Sequence, residues 1–184
     1  MKKRKGFTLI DLLISLSILF ITTGFALPNL LGYLEKSRVR ALNSNIVRLL
    51  NTARATAINH SRTVTICGLD NNNSCSSTSF SRVAIFFDKN DDKAVSDDGL
   101  ELITELELKS LGELKLQASF GREYLRFKYN GSSQQAGSFI YCNAKHPHLN
   151  SRVTTSLTGR TYLARRRNEE GMILAANTTD AICS

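Results

Sequence analysis

The first 27 residues constrain this chain more than any other part of it. Positions 2–5 are all Lys or Arg, whereas the segment from Phe7 to Leu27 carries one charged residue, Asp11. A hydrocarbon core about 30 Å thick needs about 20 helical residues, so this segment is long enough to cross a bilayer. Basic residues directly before an apolar helix hold its N-terminus in the cytoplasm. We therefore expect a single-pass helix with the rest of the chain beyond the membrane.

Two simpler interpretations of this segment fit less well. A secretory signal peptide has a shorter apolar core and a small-x-small cleavage site, and Phe25-Ala26-Leu27-Pro28 does not provide one. A plain membrane anchor explains the length but not Asp11, because a carboxylate costs a few kcal/mol in lipid unless it is paired. The acid needs a partner that the isolated segment does not supply.

The sequence from Lys2 to Leu13 resembles the class III signal of type IV pilins and type II secretion pseudopilins. The resemblance implies cleavage between Gly6 and Phe7 by prepilin peptidase, followed by N-methylation of Phe7. It also implies that the fifth residue of the mature chain pairs with the N-terminal amine of a neighbouring subunit. That residue is usually Glu in the family, and here it is Asp11, one methylene shorter.

After Pro28 the pattern becomes that of an amphipathic helix. Apolar residues recur at three- and four-residue steps at Leu30, Leu31, Leu34, Leu42, Ile46, Leu49, Leu50, Ala53 and Ala57. We predict one helix from Phe7 to about His60, with its first half in lipid or a filament and its second half covered by a sheet. The predicted segments are a leader (1–6), a transmembrane or filament-core helix (7–27), an amphipathic half (28–60) and a β-rich head (61–184).

Alternating and β-branched residues in the head predict antiparallel strands. They are expected at 63–67, 83–87, 102–108, 124–129, 138–142, 152–157 and 160–164. In the strand 124–129 we expect Leu125, Phe127 and Tyr129 on the buried face. The last two strands form a hairpin around Thr158-Gly159. A long helix followed by antiparallel strands predicts an α+β fold.

The head also resembles the GspH/FimT family, which comprises the H-type minor pseudopilin and the T- or U-type minor pilins. The similarity is carried by the segments 64–67 with Cys75, 83–90, 127–131, 138–142 and 156–160. Together with the N-terminus these segments cover most of the chain. The resemblance implies a structural subunit rather than an enzyme.

Four cysteines beyond a membrane segment favour two disulfides, because such a head faces an oxidising compartment. Three pairings are possible, and we favour Cys67 with Cys75, which bracket a polar loop, and Cys142 with Cys183. A zinc site is the alternative, but there is no Cys-x-x-Cys and no suitable histidine spacing.

Asp88, Asn90 and Asp92 have the first-third-fifth oxygen spacing of a calcium loop. The match fails at the sixth position, where Lys93 replaces glycine, and at the twelfth, where Gly99 replaces glutamate. A solvated acidic hairpin loop is therefore the favoured interpretation, and we expect no metal and no cofactor.

The residues offer little support for catalysis. The three histidines, His60, His146 and His148, lie in no nucleophile or metal motif. Asp97, Asp98 and Glu101 are close in sequence, but a charged turn explains them. We expect no enzymatic activity.

Charge is divided unevenly along the head. Residues 81–113 hold nine acids and four bases, net −5, whereas residues 114–184 hold ten bases and four acids, net +6. Arg160, Arg165, Arg166 and Arg167 follow one another closely enough to contact successive phosphates. We expect Lys145, His146 and Arg152 near them. A solvated basic face partly offset by Glu169 and Glu170 is the favoured interpretation, and phosphate binding is the alternative.

T-type minor pilins that aid natural transformation carry a Gly-Arg-x-Arg motif associated with DNA binding. This chain has Gly159-Arg160-Thr161-Tyr162, so a tyrosine replaces the second arginine. The resemblance implies a minor pilin or pseudopilin of a type IV pilus or type II secretion filament at a bacterial inner membrane. Its expected partners are prepilin peptidase and other pilin subunits, with the head in the periplasm. The alternative function is DNA binding at a pilus tip.

Overall fold

A computed structural model of the chain describes residues 8–78, 80–96, 100–108, 112–164 and 183, with the side chains of 22–31 left out. The chain divides into two compact units, residues 1–38 and 39–184.

One helix, α1, runs from Leu9 to Asn59 and continues through Pro28. In the first unit its described apolar side chains, from Leu9 to Ile21, are all exposed. Within the described residues, no helix contains a stretch that meets the length and hydropathy needed to span a membrane. The membrane segment at 7–27 therefore stays a prediction.

The part of α1 that lies in the second unit is amphipathic, as expected from its sequence. Ile46, Leu50, Ala53 and Ala57 are almost completely buried, and Val39 and Leu49 are buried beside them. Steps of three and four residues place these side chains on one stripe of the helix. The stripe packs against both sheets of the head in one continuous hydrophobic cluster.

The first sheet is built around a completely buried central strand. It contains β1 (Val64–Leu69), β2 (Cys75–Ser76), β3 (Arg82–Phe86), β4 (Leu102–Glu107) and β6 (Tyr124–Phe127). One edge of β1 pairs with β3, which in turn pairs with β4. The other edge is shared by β6, which pairs with 64–67, and β2, which pairs with 68–69. All these pairings are antiparallel.

The second sheet has four antiparallel strands in the order β5-β7-β8-β9. They are β5 (Glu113–Ala118), β7 (Gly137–Cys142), β8 (Ser151–Thr155) and β9 (Thr161–Leu163). Leu116, Phe139 and Val153 on its inner face are nearly inaccessible and join the core. The β8–β9 hairpin turns at Thr158-Gly159, where Gly159 has φ of +76°. The fold is α+β, as predicted.

Two details of the predicted sheet were wrong. Strand β5 was not predicted, although Leu114 and Leu116 alternate with polar neighbours and point inward. The strand containing Phe127 ends at that residue, because the chain turns through Lys128 to Gly131. Tyr129 is therefore 65% exposed rather than on the buried face.

Candidate assembly and binding sites

Asp11 lies in the first turn of α1 and forms a reciprocal cap with Thr8. Its Oδ2 accepts hydrogen bonds from the backbone N–H of Thr8 (3.1 Å) and from the Thr8 hydroxyl (2.7 Å). The backbone N–H of Asp11 in turn donates to Thr8 Oγ1 (3.4 Å). This is the geometry of a capping box, in which two otherwise unpaired N–H groups at a helix start are satisfied.

The residues around this cap are apolar and solvent-exposed. Leu9 is 78% exposed, and Ile10, Leu12 and Leu13 are each more than half exposed. A contiguous apolar surface of this kind marks an interaction site in protein or lipid. Gly6 and Phe7, where cleavage and methylation are expected, lie outside the described residues.

The structure joins the four cysteines in the two pairs that we favoured. Cys67 on β1 bonds to Cys75 on β2 with Cα atoms 5.5 Å apart, and Cys142 on β7 bonds to Cys183 with Cα atoms 5.7 Å apart. The first pair closes the loop between two adjacent strands. The second ties the C-terminal region to the end of β7, 41 residues earlier.

The acidic loop after β3 is held to the first sheet by one arginine. Arg126 on β6 forms ion pairs with Asp88 and Asp91, and its Nε donates to Thr65 Oγ1 at 3.0 Å. Its guanidinium also lies 4.9 Å from the centroid of the Tyr124 ring. The Asp88 side chain is only 1% exposed, and Arg126 is 12% exposed. A charge buried this deeply needs its partner, so the pair anchors the loop over β1 and β6.

The same contacts shift the pKa values of two of these groups. Burial alone would lower the pKa of Arg126, but hydrogen bonds to Asp91 and Asp88 outweigh it and the net shift is upward. The hydrogen bond from Arg126, with a second from Lys93, lowers the pKa of the exposed Asp91. Both shifts stabilise the charged pair at neutral pH.

These contacts argue against the calcium interpretation of the loop. The positive charge beside Asp88 comes from Arg126, so no metal ion is needed to balance the charge of this carboxylate. Asp92 accepts from the Asn90 amide (2.7 Å) and from the Ala94 N–H (2.9 Å), so its oxygens stabilise the turn itself. No group of three metal-ligating side chains occurs in the described part of the chain. Gly99 lies outside it.

Arg160 is exposed at the tip of the β8–β9 hairpin. The hairpin packs on the turn at 128–133, where the N–H of Ser133 donates to Leu157 O at 2.9 Å. A Cβ built on Gly159 would lie 2.0 Å from Gly131 O and 3.1 Å from Arg54 Nε. We call this end of the head, formed by residues 54–63, 127–133 and 156–160, the basic end.

The basic end carries cations without acids. Arg54, Arg62, Lys128 and Arg160 belong to its three segments, which contain no Asp or Glu. The Nε atom of Arg54 is buried and has no hydrogen-bond partner among the described residues. The sequence analysis missed Arg54 and Lys128 because they are distant from Arg160 along the chain, and only the packing of the two glycine turns brings them together.

The other expected basic residues lie elsewhere. Lys145 and His146 are in the β7–β8 loop, at the opposite end of the second sheet from Arg160, so the expectation that they lie near Arg160 was wrong. Their proximity to Arg165, Arg166 and Arg167 stays a prediction. Arg152 lies on the face of β8 rather than at the hairpin tip. Arg165, Arg166 and Arg167 lie outside the described residues, as do Glu169 and Glu170.

The histidines pack rather than forming a reactive group. His60 makes an edge contact with Phe87, with ring centroids 5.5 Å apart. His146 and His148 contact each other in the same way at 5.8 Å. Glu101 is in the segment before β4, and Asp97 and Asp98 lie outside the described residues.

Comparison with known protein families identifies the family to which this chain belongs. Residues 1–27 match the prokaryotic N-terminal methylation motif, which is found in pilin-like proteins. Residues 43–159, more than half of the chain, match the family described as Type II transport protein GspH. The chain therefore belongs to the GspH family of minor pilins and pseudopilins. A search of curated proteins gave no match.

A solved minor pilin shares the fold. The type IV minor pilin FimU of Pseudomonas aeruginosa superposes with a TM-score of 0.51 at 17% identity, over 71% of this chain and 91% of FimU. The minor pseudopilin EpsH of the Vibrio cholerae type 2 secretion system gives a TM-score of 0.43 at 15% identity, over 68% of this chain and 94% of EpsH.

Proposed function

We propose that the protein is a non-catalytic filament subunit that is made as a membrane-inserted precursor and assembled through α1. Prepilin peptidase removes residues 1–6 on the cytoplasmic side, and Phe7 becomes the methylated N-terminus. The helix then leaves the inner membrane and packs among the helices of neighbouring pilin or pseudopilin subunits, while the head remains on the periplasmic side. The observation that carries this proposal is the match of residues 1–27 to the methylation motif, joined to a GspH-type head.

Burial of the exposed apolar surface of α1 would drive both the insertion of the helix into the membrane and its packing in the filament. Side chains such as Leu9 and Ile10 are largely exposed in the described part of the chain, and lipid or neighbouring helices would each cover them. Because lipid is as apolar as a helix bundle, the exchange needs a directional interaction to favour the filament. Asp11 provides one, since its carboxylate would pair with the amine of an adjacent Phe7 in a medium of low dielectric constant.

The cleavage site gives the sharpest test of this function. We would express the chain with its cognate peptidase and measure the intact mass of the wild type and of Gly6→Leu. The wild type should lose residues 1–6 and gain one methyl group, whereas Gly6→Leu should keep the leader. Gly32→Leu, which places the same residue outside the leader, is the matched control and should be processed. An intact first methionine on the wild type would contradict the proposal.

DNA binding at a pilus tip is the second candidate, and the basic end favours it. Arg54, Lys128 and Arg160 belong to its three segments, which contain no carboxylate of their own and so could attract a phosphate backbone. The exposed Tyr129 offers a ring on which a base could stack. The sequence predicts that Arg165, Arg166 and Arg167 also contact phosphates.

A gel shift of the full chain in detergent would test this candidate. Replacing Arg160, Arg165, Arg166 and Arg167 with Ala should weaken binding and make its salt dependence shallower, because fewer phosphates are neutralised. Replacing Lys145 with Ala, at the opposite end of the sheet, should change neither. An absence of binding at low salt would remove the candidate without affecting the filament proposal.

A further inference from the structure

The outer face of the second sheet holds a large open cavity whose lining includes Ser156, Leu157 and Thr158 of the basic end. Its volume is about 650 Å³, and its lining includes Gln117, Ser138, Arg152, Thr154 and Tyr162. It lies on the opposite face of the sheet from Leu116, Phe139 and Val153, which belong to the core. The cavity is therefore built on a rigid floor of paired strands.

Four polar side chains form a row across this face. The strand register places Gln117 opposite Ser138, Ser138 opposite Thr154, and Thr154 opposite Tyr162. At about 4.8 Å per strand the row is about 14 Å long. Ser138 Oγ and Thr154 Oγ1 are 3.0 Å apart, so the two central hydroxyls are oriented by each other.

Arg152 is the single charged side chain among the described residues that line the cavity. Its Nε donates to Ser138 Oγ at 3.0 Å, which fixes the guanidinium beside the row. Its two terminal amino groups make no hydrogen bond or ion pair with the described residues. Burial lowers the pKa of Arg152, and no carboxylate among the described residues offsets that cost. A half-buried arginine whose terminal amino groups make no such bond can bind an anionic ligand that enters the cavity.

The combination of groups points to one ligand chemistry. Hydroxyls both donate and accept hydrogen bonds, so a row of them complements the hydroxyls of a sugar. The planar guanidinium fits one carboxylate, and the Tyr162 ring, 44% exposed, can cover an apolar sugar face. A nucleic acid would require cations for successive phosphates, and the cavity has one. A peptide strand would pair with a sheet edge, whereas this row crosses the strands.

We propose that this cavity is a binding site for an oligosaccharide that carries a carboxylate, such as a uronic-acid oligomer. Arg152 holds the carboxylate, Gln117, Thr154 and Tyr162 hold the sugar hydroxyls, and the buried Ser138 positions Arg152 and Thr154. The site is independent of the filament function proposed above. It would allow the head to contact an acidic polysaccharide of the cell envelope or a surface.

Calorimetric titration of the full chain in detergent tests this site, with a galacturonic acid trimer as the probe. We expect a dissociation constant of about 1 mM or lower, and binding of the neutral galactose trimer that is weaker by about tenfold, the effect of one charge-assisted contact. Arg152→Gln should reduce binding of the acidic trimer by about the same factor. Arg122→Gln, which removes an arginine outside the cavity, should leave binding unchanged.

A second variant keeps the proposal testable if Arg152→Gln fails to fold. Tyr162→Ala removes a partly exposed ring from an edge strand and should weaken both trimers while the unfolding curve is maintained. Equal affinity for the acidic and neutral trimers, or no saturation at about 10 mM, would overturn the proposal. The proposal would also be overturned if a thymidine oligonucleotide or a glutamate tripeptide displaced the bound acidic trimer at a lower concentration than added acidic trimer does.

Discussion

Asp11 caps its own helix through Thr8, accepting hydrogen bonds from both the hydroxyl and the backbone N–H of that residue. The same carboxylate is the group proposed to pair with a neighbour's amine during assembly. Two roles for one side chain can be separated, because Thr8 takes part only in the first. The cap stabilises the helix start, and the proposed intersubunit pair would favour the filament over the membrane.

We therefore predict different outcomes for substitutions at these two positions. Asp11→Ala should abolish incorporation into filaments but leave membrane insertion intact, because insertion depends on the apolar segment. Thr8→Val should cost only about 1 kcal/mol of helix stability and keep incorporation. Sheared-filament and membrane fractions, compared by immunoblot, measure both. If Thr8→Val were as defective as Asp11→Ala, the carboxylate would be acting as a cap alone.

The two glycine turns of the basic end allow a prediction about stability. Gly159→Ala should destabilise the head by more than about 2 kcal/mol, because a Cβ there would lie 2.0 Å from Gly131 O and the backbone has positive φ. Gly121 also has positive φ, +64°, but has open space around it. Gly121→Ala should cost about 1 kcal/mol, the strain of the left-handed conformation alone. Urea unfolding of both variants checks the difference, and equal losses would contradict the close packing.

The two disulfides should contribute unequally to stability. In the loop-closure model, cross-linking residues 41 apart contributes about 4 kcal/mol, and cross-linking residues 8 apart contributes about 2.5 kcal/mol. We therefore expect the double variant Cys142→Ala and Cys183→Ala to lose more stability than Cys67→Ala with Cys75→Ala. Thermal unfolding of the oxidised proteins measures the loss of stability in each double variant. A larger loss for the short loop would mean that burial of Cys67, rather than chain entropy, dominates.

The acidic loop should release from Arg126 in acid. Asp91 has a lowered pKa in the folded protein, so its contribution is complete above the unfolded value of about 4 and is lost as pH falls through the lower folded value. We expect the stability difference between the wild type and Asp91→Asn to be constant at neutral pH and to shrink below about pH 4. Unfolding curves between neutral and acidic pH test this.

Asp92→Asn is the matched control for that experiment. Asp92 belongs to the same loop but bonds to Asn90 and Ala94 rather than to Arg126. If both variants followed the same pH dependence, general charge repulsion would explain the result. In that case the ion pair with Arg126 would not be needed to account for it.

Local pattern was sufficient to predict most of the fold. Helix α1 was predicted because the apolar spacing of its head portion has the helical period, and the β8–β9 hairpin because Thr158-Gly159 is a turn signal. The packing of β6 against β1 was not predictable, since their residues are about 60 positions apart and no local pattern encodes the pairing. Strand β2 has only two residues, too few for any periodicity.

The candidate sites were predictable to different degrees. The N-terminal signal is contiguous in sequence, so Gly6, Phe7 and Asp11 could be selected directly. The basic end depends on contacts between distant turns, and the sequence therefore indicated Arg160 but not Arg54. The role of Arg126 was hidden for the same reason: its acids are 38 and 35 residues away, and the spacing of Asp88, Asn90 and Asp92 suggested a metal instead.

The bond between Cys142 and Cys183 sets an order of events during biosynthesis. If the head is exported as proposed, Cys67 and Cys75 can join soon after both have crossed the membrane, but Cys142 lacks the partner seen in the structure until β8, β9 and the residues after them have also emerged. During that interval its thiol is open to exchange with foreign thiols. A dithiol oxidase or isomerase at the translocation exit would therefore act on this chain twice, and the second reaction would report that the head is complete.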